Sequence, residues 1–191
     1  MPKIKLIIFD VDGTLAEQFS LELLPGVRLF FDLLFRNDCP DTPRAAIATN
    51  QGGVGMRYWM EKAGFGRPHE FPTDEEINER MKELVAKIGH GRIIPVYASY
   101  RFRTKQGKWA PVPPEEMGNP SWEQEWRKPL PGMLIQAMQD AGSAPDETLF
   151  VGDREDDRSA ARAAGCTFEW ARDFFARPWN SCEQLEQLLE G

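Results

Sequence analysis

The segment LIIFDVDGT, residues 6–14, decides the fold of this chain. Its first four residues, Leu6 to Phe9, form an apolar run typical of a strand that is buried on both faces of a sheet. Asp10 and Asp12 follow one residue apart, and side chains at positions i and i+2 of an extended backbone point to the same side. We therefore expect both carboxylates to face one space at the carboxyl end of the strand, where open α/β sheets bind ligands.

The close spacing of Asp10 and Asp12 indicates a cation site. At about 5 Å and an effective dielectric constant near 20, two carboxylates repel by roughly 3 kcal/mol, and a divalent cation with oxygen ligands would offset this repulsion. Gly13 allows the chain to turn out of the strand. An acidic surface turn is the alternative, and a lone Asp-x-Asp-Gly does not decide between the two.

The composition is that of an ordinary globular protein. With 191 residues, 41% of them hydrophobic and 28% charged, residues 1–191 are expected to form a single domain. The net charge of −7 argues against a protein that wraps nucleic acid, and no apolar run approaches the roughly 20 residues needed to span a membrane. Cys39, Cys166 and Cys182 are an odd number at unrelated spacings, which predicts reduced thiols in a cytoplasmic protein.

Strand and helix patterns alternate along the chain. Further strands are predicted at residues 45–48, 93–97, 148–151 and 167–170, and helices at about 25–37, from 74, at 132–142, at about 157–164 and from 181. Helices between strands imply right-handed crossovers. The expected fold class is α/β, a doubly wound, mainly parallel five-stranded sheet with helices on both faces.

Polar side chains follow three of the predicted strands. Asp10 and Asp12 follow the first strand, Thr49 and Asn50 the second, and Asp153 the fourth. In a parallel sheet these ends lie along one edge. The convergence supports a functional site that the first motif alone could not establish.

These residues resemble the motifs of the haloacid dehalogenase (HAD) superfamily of phosphohydrolases, which have a HAD-like Rossmannoid fold. The four motifs occur in the family's order, as Asp10 to Thr14, Thr49-Asn50, Lys128, and Gly152-Asp153 with Asp157. Thr49-Asn50-Gln51 and the segment from Arg127 to Met133 are further similar to one branch of it. That branch contains histidinol-phosphate phosphatases, heptose bisphosphate phosphatases and the 3′-phosphatase domains of polynucleotide kinases.

The resemblance and the chemistry of phosphate esters imply roles for these side chains. Asp10 would attack phosphorus and form an aspartyl-phosphate, while Asp12 would protonate the leaving oxygen and then activate water. Thr49 and Asn50 would donate hydrogen bonds to the phosphoryl oxygens. Lys128 would add a fixed positive charge between the nucleophile and the phosphate.

The implied cofactor is Mg²⁺. Asp10, the main-chain carbonyl of Asp12, and Asp153 would hold the ion. Asp157 would orient Lys128 or a water molecule at the metal. Arg127 could bind the rest of the substrate.

Spacing predicts an open site without a large cap domain, because only one helix and a turn fit between Asp12 and Thr49. The loop at 98–127 contains neither Cys nor His, whereas several members of the branch carry a zinc cluster there, so no zinc is expected. Its aromatic residues either pack as a cluster in place of zinc or stack on a sugar or base at the mouth of the site. They are Tyr100, Phe102, Trp109, Trp122 and Trp126.

The function expected from this pattern is a Mg²⁺-dependent phosphomonoesterase for a phosphorylated small metabolite, of the sugar or amino-alcohol phosphate type. A nucleic-acid 3′-phosphatase is the alternative, although the acidic charge and the lack of a Gly-x-x-x-x-Gly-Lys-Ser/Thr loop argue against it. An alternative of another class is a phosphoaccepting receiver-like signalling module. In such a module the acceptor Asp follows a later strand, and no second Asp lies two residues after it. Asp10 and Asp12 differ in both respects.

Overall fold

A five-stranded sheet lies at the centre of the computed structural model, which describes residues 3–36, 39 and 42–190. The strands are β1 (Leu6–Phe9), β2 (Arg44–Asn50), β3 (Val96–Ser99), β4 (Thr148–Gly152) and β5 (Thr167–Trp170). Their order is β3-β2-β1-β4-β5, and all neighbouring strands pair in parallel. This confirms the predicted fold class.

Seven α-helices accompany the sheet in the described part of the chain. They are α1 (Val27–Leu34), α2 (Gly53–Ala63), α3 (Asp74–Ile88), α4 (Gly132–Ala141), α5 (Glu155–Ala164), α6 (Ala171–Phe175) and α7 (Cys182–Glu190). Neither α2 nor α6 was predicted from the sequence. The predicted end of the first helix, at about residue 37, lies outside the described residues, whereas α1 ends at Leu34.

The third strand begins later than predicted. Ile93, the expected first residue, is 91% exposed, and pairing with β2 begins at Val96. Pro95 comes directly before this strand and has no amide hydrogen to contribute to the sheet. An apolar run alone therefore misplaced the strand by three residues.

Side chains alternate along β1 and fill two separate cores. Ile7 and Phe9 face one core, which α1, α3, α6 and α7 complete with Phe30, Leu84, Phe174 and Leu185. Leu6 and Ile8 face the other core, which α4 and α5 cover with Leu134 and Ala160. Helices therefore cover both faces of the sheet, as predicted.

Aromatic packing fixes the end of β1. The Phe9 ring lies between 5.3 and 6.1 Å from the rings of Phe30, Phe31, Phe174 and Phe175. Because Phe9 immediately precedes the expected nucleophile, this cluster holds the backbone of the site in place.

The prediction of three reduced thiols is wrong for two of them. Cys39 and Cys182 form a disulfide, with their Cα atoms 5.4 Å apart and a sequence separation of 143. The pairing depends on the packing of α1 against α7, which cysteine spacing does not reveal. Cys166 is free. Cysteine usage therefore no longer supports the expected location of the protein.

The connections between the strands contain no large cap domain among the described residues. Among the residues that the structure describes, only α1 lies between β1 and β2, and between β2 and β3 lie α2, the one-turn helix Pro68–Glu70 and α3. Across the described residues, no helix is long and apolar enough to cross a membrane.

Candidate active site

The predicted site residues meet at the carboxyl ends of β1, β2 and β4. Asp10 follows β1, and its amide donates a hydrogen bond to the Val151 carbonyl at 3.0 Å, which ties it to β4. Thr49 lies near the end of β2, and Asp153 follows β4 directly. The parallel order of the strands thus brings distant parts of the chain to one edge.

Lys128 links two of the carboxylates. Its ammonium group is 2.7 Å from Asp10 Oδ1, 2.7 Å from Asp157 Oδ1 and 2.8 Å from the Ala48 carbonyl, so all three of its N–H groups have an acceptor. Lys128 is only 2% exposed. Burial lowers its pKa, but the two carboxylates outweigh this effect and hold the pKa above its usual value. The residue therefore supplies a fixed positive charge beside Asp10.

Asn50 holds the Lys128 backbone. Its side-chain amide donates to the Lys128 carbonyl at 3.0 Å, and its oxygen accepts a hydrogen bond from the Lys128 amide at 3.1 Å. These two bonds join the end of β2 to the segment that precedes α4. The predicted contact of Asn50 with a phosphoryl group stays a prediction.

Asp10, Asp153 and Asp157 form an acidic cluster with one carboxylate oxygen of each within 4.8 Å of the others. Burial raises the pKa of Asp10 to about 6, with Lys128 opposing the shift and Asp157 adding to it. Burial and the Asp157 carboxylate also raise the pKa of Asp153. Clustered carboxylate oxygens are ligands that Mg²⁺ prefers, so the residues fit the expected ion.

Backbone packing leaves little space around this cluster. A Cβ atom at Gly13, whose φ is +82°, would collide with the Asp153 carboxylate, and one at Gly152 would lie 2.6 Å from Asp157 Cβ. Asp157 Oδ2 also accepts a hydrogen bond from the Arg154 amide at 3.0 Å at the start of α5. Small residues thus allow the carboxylates to approach the main chain.

Asp12 lies against a set of hydrogen-bond donors that were not predicted from the sequence. Arg80, on α3, approaches both of its oxygens, at 2.6 and 3.4 Å, and Gln51 donates to Oδ2 at 2.9 Å. The Phe19 amide donates to Oδ1 at 2.9 Å. Burial raises the pKa of Asp12, but hydrogen bonds from Arg80, Phe19 and Gln51 outweigh it and keep the pKa below its usual value.

Arg80 also holds the segment that follows β1. Its guanidinium donates to the Ser20 carbonyl at 2.9 and 3.2 Å, so one side chain joins α3, Asp12 and this segment. Arg80 is 68 residues from Asp12 and belongs to no motif, so no sequence signal pointed to it. Gln51 directly follows Thr49-Asn50 and could have been found from that position.

Thr49 is 1% exposed and accepts a hydrogen bond from Gln51 at 3.0 Å. Because its oxygen accepts this bond, the hydroxyl proton is available for donation to a ligand. Arg127 is half-buried and donates to the Arg101 carbonyl at 2.9 Å. Burial lowers the Arg127 pKa. Its binding of substrate stays a prediction.

A cavity of about 780 Å³ opens above these residues. Asp10, Asp12, Thr49 and Lys128 lie at its base, and Arg127 lines it. Asp153 instead lines a neighbouring cavity of about 540 Å³ that also borders Gly13 and Trp170. The acidic cluster therefore lies between two openings.

The aromatic residues of the 98–127 loop pack on several partners, not as one cluster. Tyr100 and Trp122 lie 5.9 Å apart between ring centroids, and the Trp122 ring also contacts Tyr58. Trp126 packs on Tyr97, Trp109 lies under the guanidinium groups of Arg101 and Arg103, and Phe102 packs on Trp59. Of the five, Phe102 lines the large cavity.

Comparison with known proteins agrees with this geometry. A family model described as HAD-hydrolase-like matches residues 125–170, which include Lys128, Asp153 and Asp157. The structure of D,D-heptose 1.7-bisphosphate phosphatase from B. bronchiseptica, complexed with magnesium and phosphate, has a TM-score of 0.55 and is 22% identical. The match covers 98% of this chain and 99% of that chain, and it shows a shared fold.

Two curated relatives are similar in sequence. D-glycero-alpha-D-manno-heptose-1,7-bisphosphate 7-phosphatase from Burkholderia mallei is 30% identical over 120 residues, which are 62% of this chain and 52% of the relative. Phosphoglycolate phosphatase from Pseudomonas putida is 27% identical over 187 residues, with 84% of this chain and 66% of the relative covered. The chain thus spans between half and two thirds of the length of these relatives.

The fold is HAD-like: a parallel sheet carries the acidic and lysine motifs at the ends of its strands, and the family model matches the part of the chain that contains Lys128, Asp153 and Asp157. The resemblance predicted from the motifs is confirmed by the family model and the curated relatives. The structural neighbour has the same fold.

Proposed function

We propose that this protein is a Mg²⁺-dependent phosphomonoesterase that hydrolyses a small phosphorylated metabolite, of the sugar or amino-alcohol phosphate type, through an aspartyl-phosphate on Asp10. The observation that carries the proposal is the buried Lys128 ammonium, which contacts both Asp10 and Asp157 beside Asp153. The names of the relatives, a heptose bisphosphate phosphatase and a phosphoglycolate phosphatase, support a small phosphorylated substrate.

The reaction proceeds in two displacements. An Asp10 carboxylate oxygen attacks phosphorus, the ester P–O bond breaks, and Asp12 donates a proton to the departing alcohol oxygen. Water then attacks the phosphorus of the aspartyl-phosphate while Asp12 takes its proton, and the bond to Asp10 breaks. Phosphate leaves, Asp10 is again a carboxylate, and Asp12 again carries the proton that it donates in the next cycle.

Donors at the base of the cavity stabilise the transferring group. Lys128 supplies positive charge, and the Thr49 hydroxyl can donate to a phosphoryl oxygen. Arg80 and Gln51 hold the Asp12 carboxylate and so orient the proposed acid and base. Such donors act without rearrangement because the fold already holds them in place.

The acidic cluster would hold Mg²⁺. Asp10 and Asp153 would be its side-chain ligands, Asp157 lies close enough to contribute, and the Asp12 carbonyl is the further ligand expected from the sequence. The bound ion would supply positive charge to the phosphoryl oxygens. Asp157 also pairs with Lys128, so it connects the ion site to the fixed ammonium.

The test is a phosphate-release assay with Mg²⁺ on a panel of phosphorylated metabolites and a 3′-phosphorylated oligonucleotide. Asp10→Asn should lower kcat at least about 10³-fold because it removes the nucleophile, whereas Asp146→Asn, at an exposed site, should stay within about twofold. Repeated turnover on a metabolite supports the proposal. Turnover by Asp10→Asn, or a single long-lived phosphorylation as in a receiver module, would contradict it.

A further inference from the structure

We propose that the outer part of the large cavity binds an aromatic or heteroaromatic ring carried by the leaving group of the substrate. This inference rests on the proposed phosphatase function and adds the chemical class of the alcohol that departs. The inference is based on two phenylalanine side chains, Phe71 and Phe102, which line the same cavity as Asp10 and are called its walls below.

The two walls flank the first turn of α2. A Cβ atom at Gly53 would lie 3.8 Å from the Phe71 ring, and one at Gly55 would lie 3.3 Å from Phe102 Cβ. Phe71 and Phe102 therefore approach one helix at neighbouring positions, and both are half-buried. Met56, on the same helix, also lines the cavity.

Hydrogen bonds fasten both walls to α2. Arg57 donates to the Phe71 carbonyl at 2.9 Å, and the Gly55 amide donates to the Tyr100 carbonyl at 3.1 Å, two residues before Phe102. The Trp59 ring also packs on Phe102, at 6.1 Å between centroids. The segments that carry both side chains are thus held against α2 before a ligand arrives, which favours binding of a rigid, flat group.

The size and chemistry of the cavity agree with this ligand. A volume of about 780 Å³ falls in the range of cavities that enclose drug-sized molecules and far exceeds the needs of a phosphoryl group. A further apolar ring, that of Phe19, lines the cavity and is 75% exposed. Polar side chains such as His69, Glu70 and Arg154 also line the cavity. Directly against the phenylalanine rings, however, sugar hydroxyls would lose water without gaining partners, whereas an aromatic ring stacks on them.

Matched substrates test the proposal without changing the reactivity of the leaving group. Values of kcat/KM are compared for phenylpropyl phosphate against propyl phosphate, and for a nucleoside 5′-monophosphate against ribose 5-phosphate. We expect the ring-bearing member of at least one pair to be preferred by about tenfold, the worth of one stacking contact. The first pair identifies a simple aryl group and the second a nucleobase.

Variants of the two walls test whether Phe71 and Phe102 cause the preference for ring-bearing substrates. Phe71→Leu and Phe102→Leu keep apolar volume but remove the flat face, so each should reduce the ring preference by about fivefold while activity on the ring-free member stays within about twofold. Phe35→Leu, at a half-buried phenylalanine that lines a different cavity, should leave the preference unchanged. Circular dichroism checks the fold of each variant.

Two results separate the inference from the function beneath it. Equal kcat/KM for both members of both pairs, or wall variants that slow ring-bearing and ring-free substrates equally, would overturn the ring site and leave the phosphatase proposal intact. Failure to release phosphate from any ester in the wider metabolite panel would instead overturn the proposed function.

Discussion

Among single residues, Lys128 has the most demanding position. Its ammonium group is buried and is shared between Asp10, Asp157 and the Ala48 carbonyl. Removal of one member of a buried ion pair typically destabilises a protein by about 3–5 kcal/mol, because the partner charge remains without compensation. Lys128 is therefore the positive charge that compensates two buried carboxylates, those of Asp10 and Asp157.

Replacement of Lys128 by Met should therefore lower both activity and stability. We expect kcat to fall at least about 10²-fold. We also expect the loss in free energy of unfolding to be greatest near about pH 7.5 and to shrink toward about pH 5. Burial already raises the pKa of Asp10 to about 6, and loss of the amine raises it further, so protonation relieves the unpaired charge as the pH falls.

Thermal unfolding at both pH values measures the effect. The control is Lys5→Met, which breaks an exposed ion pair with Glu147 and should change stability by no more than about 1 kcal/mol. Wild-type stability of Lys128→Met at both pH values would show that the buried ion pair contributes nothing to the free energy of unfolding.

Arg80 acts on catalysis through Asp12. Arg80→Lys keeps the positive charge but loses the two-pronged contact with both Asp12 oxygens and the bond to Ser20. We expect kcat to fall by about tenfold to 10²-fold with KM nearly unchanged, since Asp12 would lose its orientation. Steady-state kinetics measure this, with Arg158→Lys, in an exposed pair with Glu155, as the control. An equal fall in both variants would argue against a role for Arg80.

The sequence predicted which residues meet but not which way each side chain points. Asp10, Asp153 and Lys128 were found because each belongs to a motif at the end of a predicted strand or beside the start of a predicted helix. Arg80 was missed because only the packing of α3 brings it to Asp12. The bonds of the Asn50 side chain to the Lys128 main chain were not predicted either, and its contact with the phosphate stays a prediction.

At the scale of elements, α2 connects the base of the cavity to its outer walls. The helix escaped prediction because two of its first three residues are glycine, which has a low helix propensity, and no side chain caps its start. Because Gly53 and Gly55 have no side chains, the segments that carry Phe71 and Phe102 can approach the helix closely.

Gly55→Ala tests this close approach. An added methyl group would collide with the Tyr100 carbonyl and lie 3.0 Å from the Phe102 amide. We expect a loss of about 1–3 kcal/mol in the free energy of unfolding, despite the better helix propensity of Ala. Denaturant unfolding measures it, with Glu61→Ala, a change on the same helix, as the control. An increase in the free energy of unfolding for Gly55→Ala would show that the loop at 98–127 shifts to accommodate the methyl group without strain.

For the whole molecule, alternation of strands and helices was sufficient to predict the parallel sheet and the edge that carries the site. The Cys39–Cys182 disulfide was not predictable, because the two cysteines are 143 positions apart in sequence and meet only through the contact of α1 with α7. Similarly, the loop at 98–127 supplied the expected aromatic residues, but some of their partners lie on other elements, as Tyr58 and Trp59 show. The single domain over residues 1–191 stays a prediction.

The proposed phosphatase function depends most on the covalent role of Asp10. Acid quenching of the protein during turnover with Mg²⁺, followed by mass spectrometry of its peptides, tests that role directly. We predict one phosphoryl group on the peptide that contains Asp10, lost again as water hydrolyses it, and no such label in Asp10→Asn. Sustained phosphate release by a protein whose Asp10 peptide never carries phosphate would contradict the account.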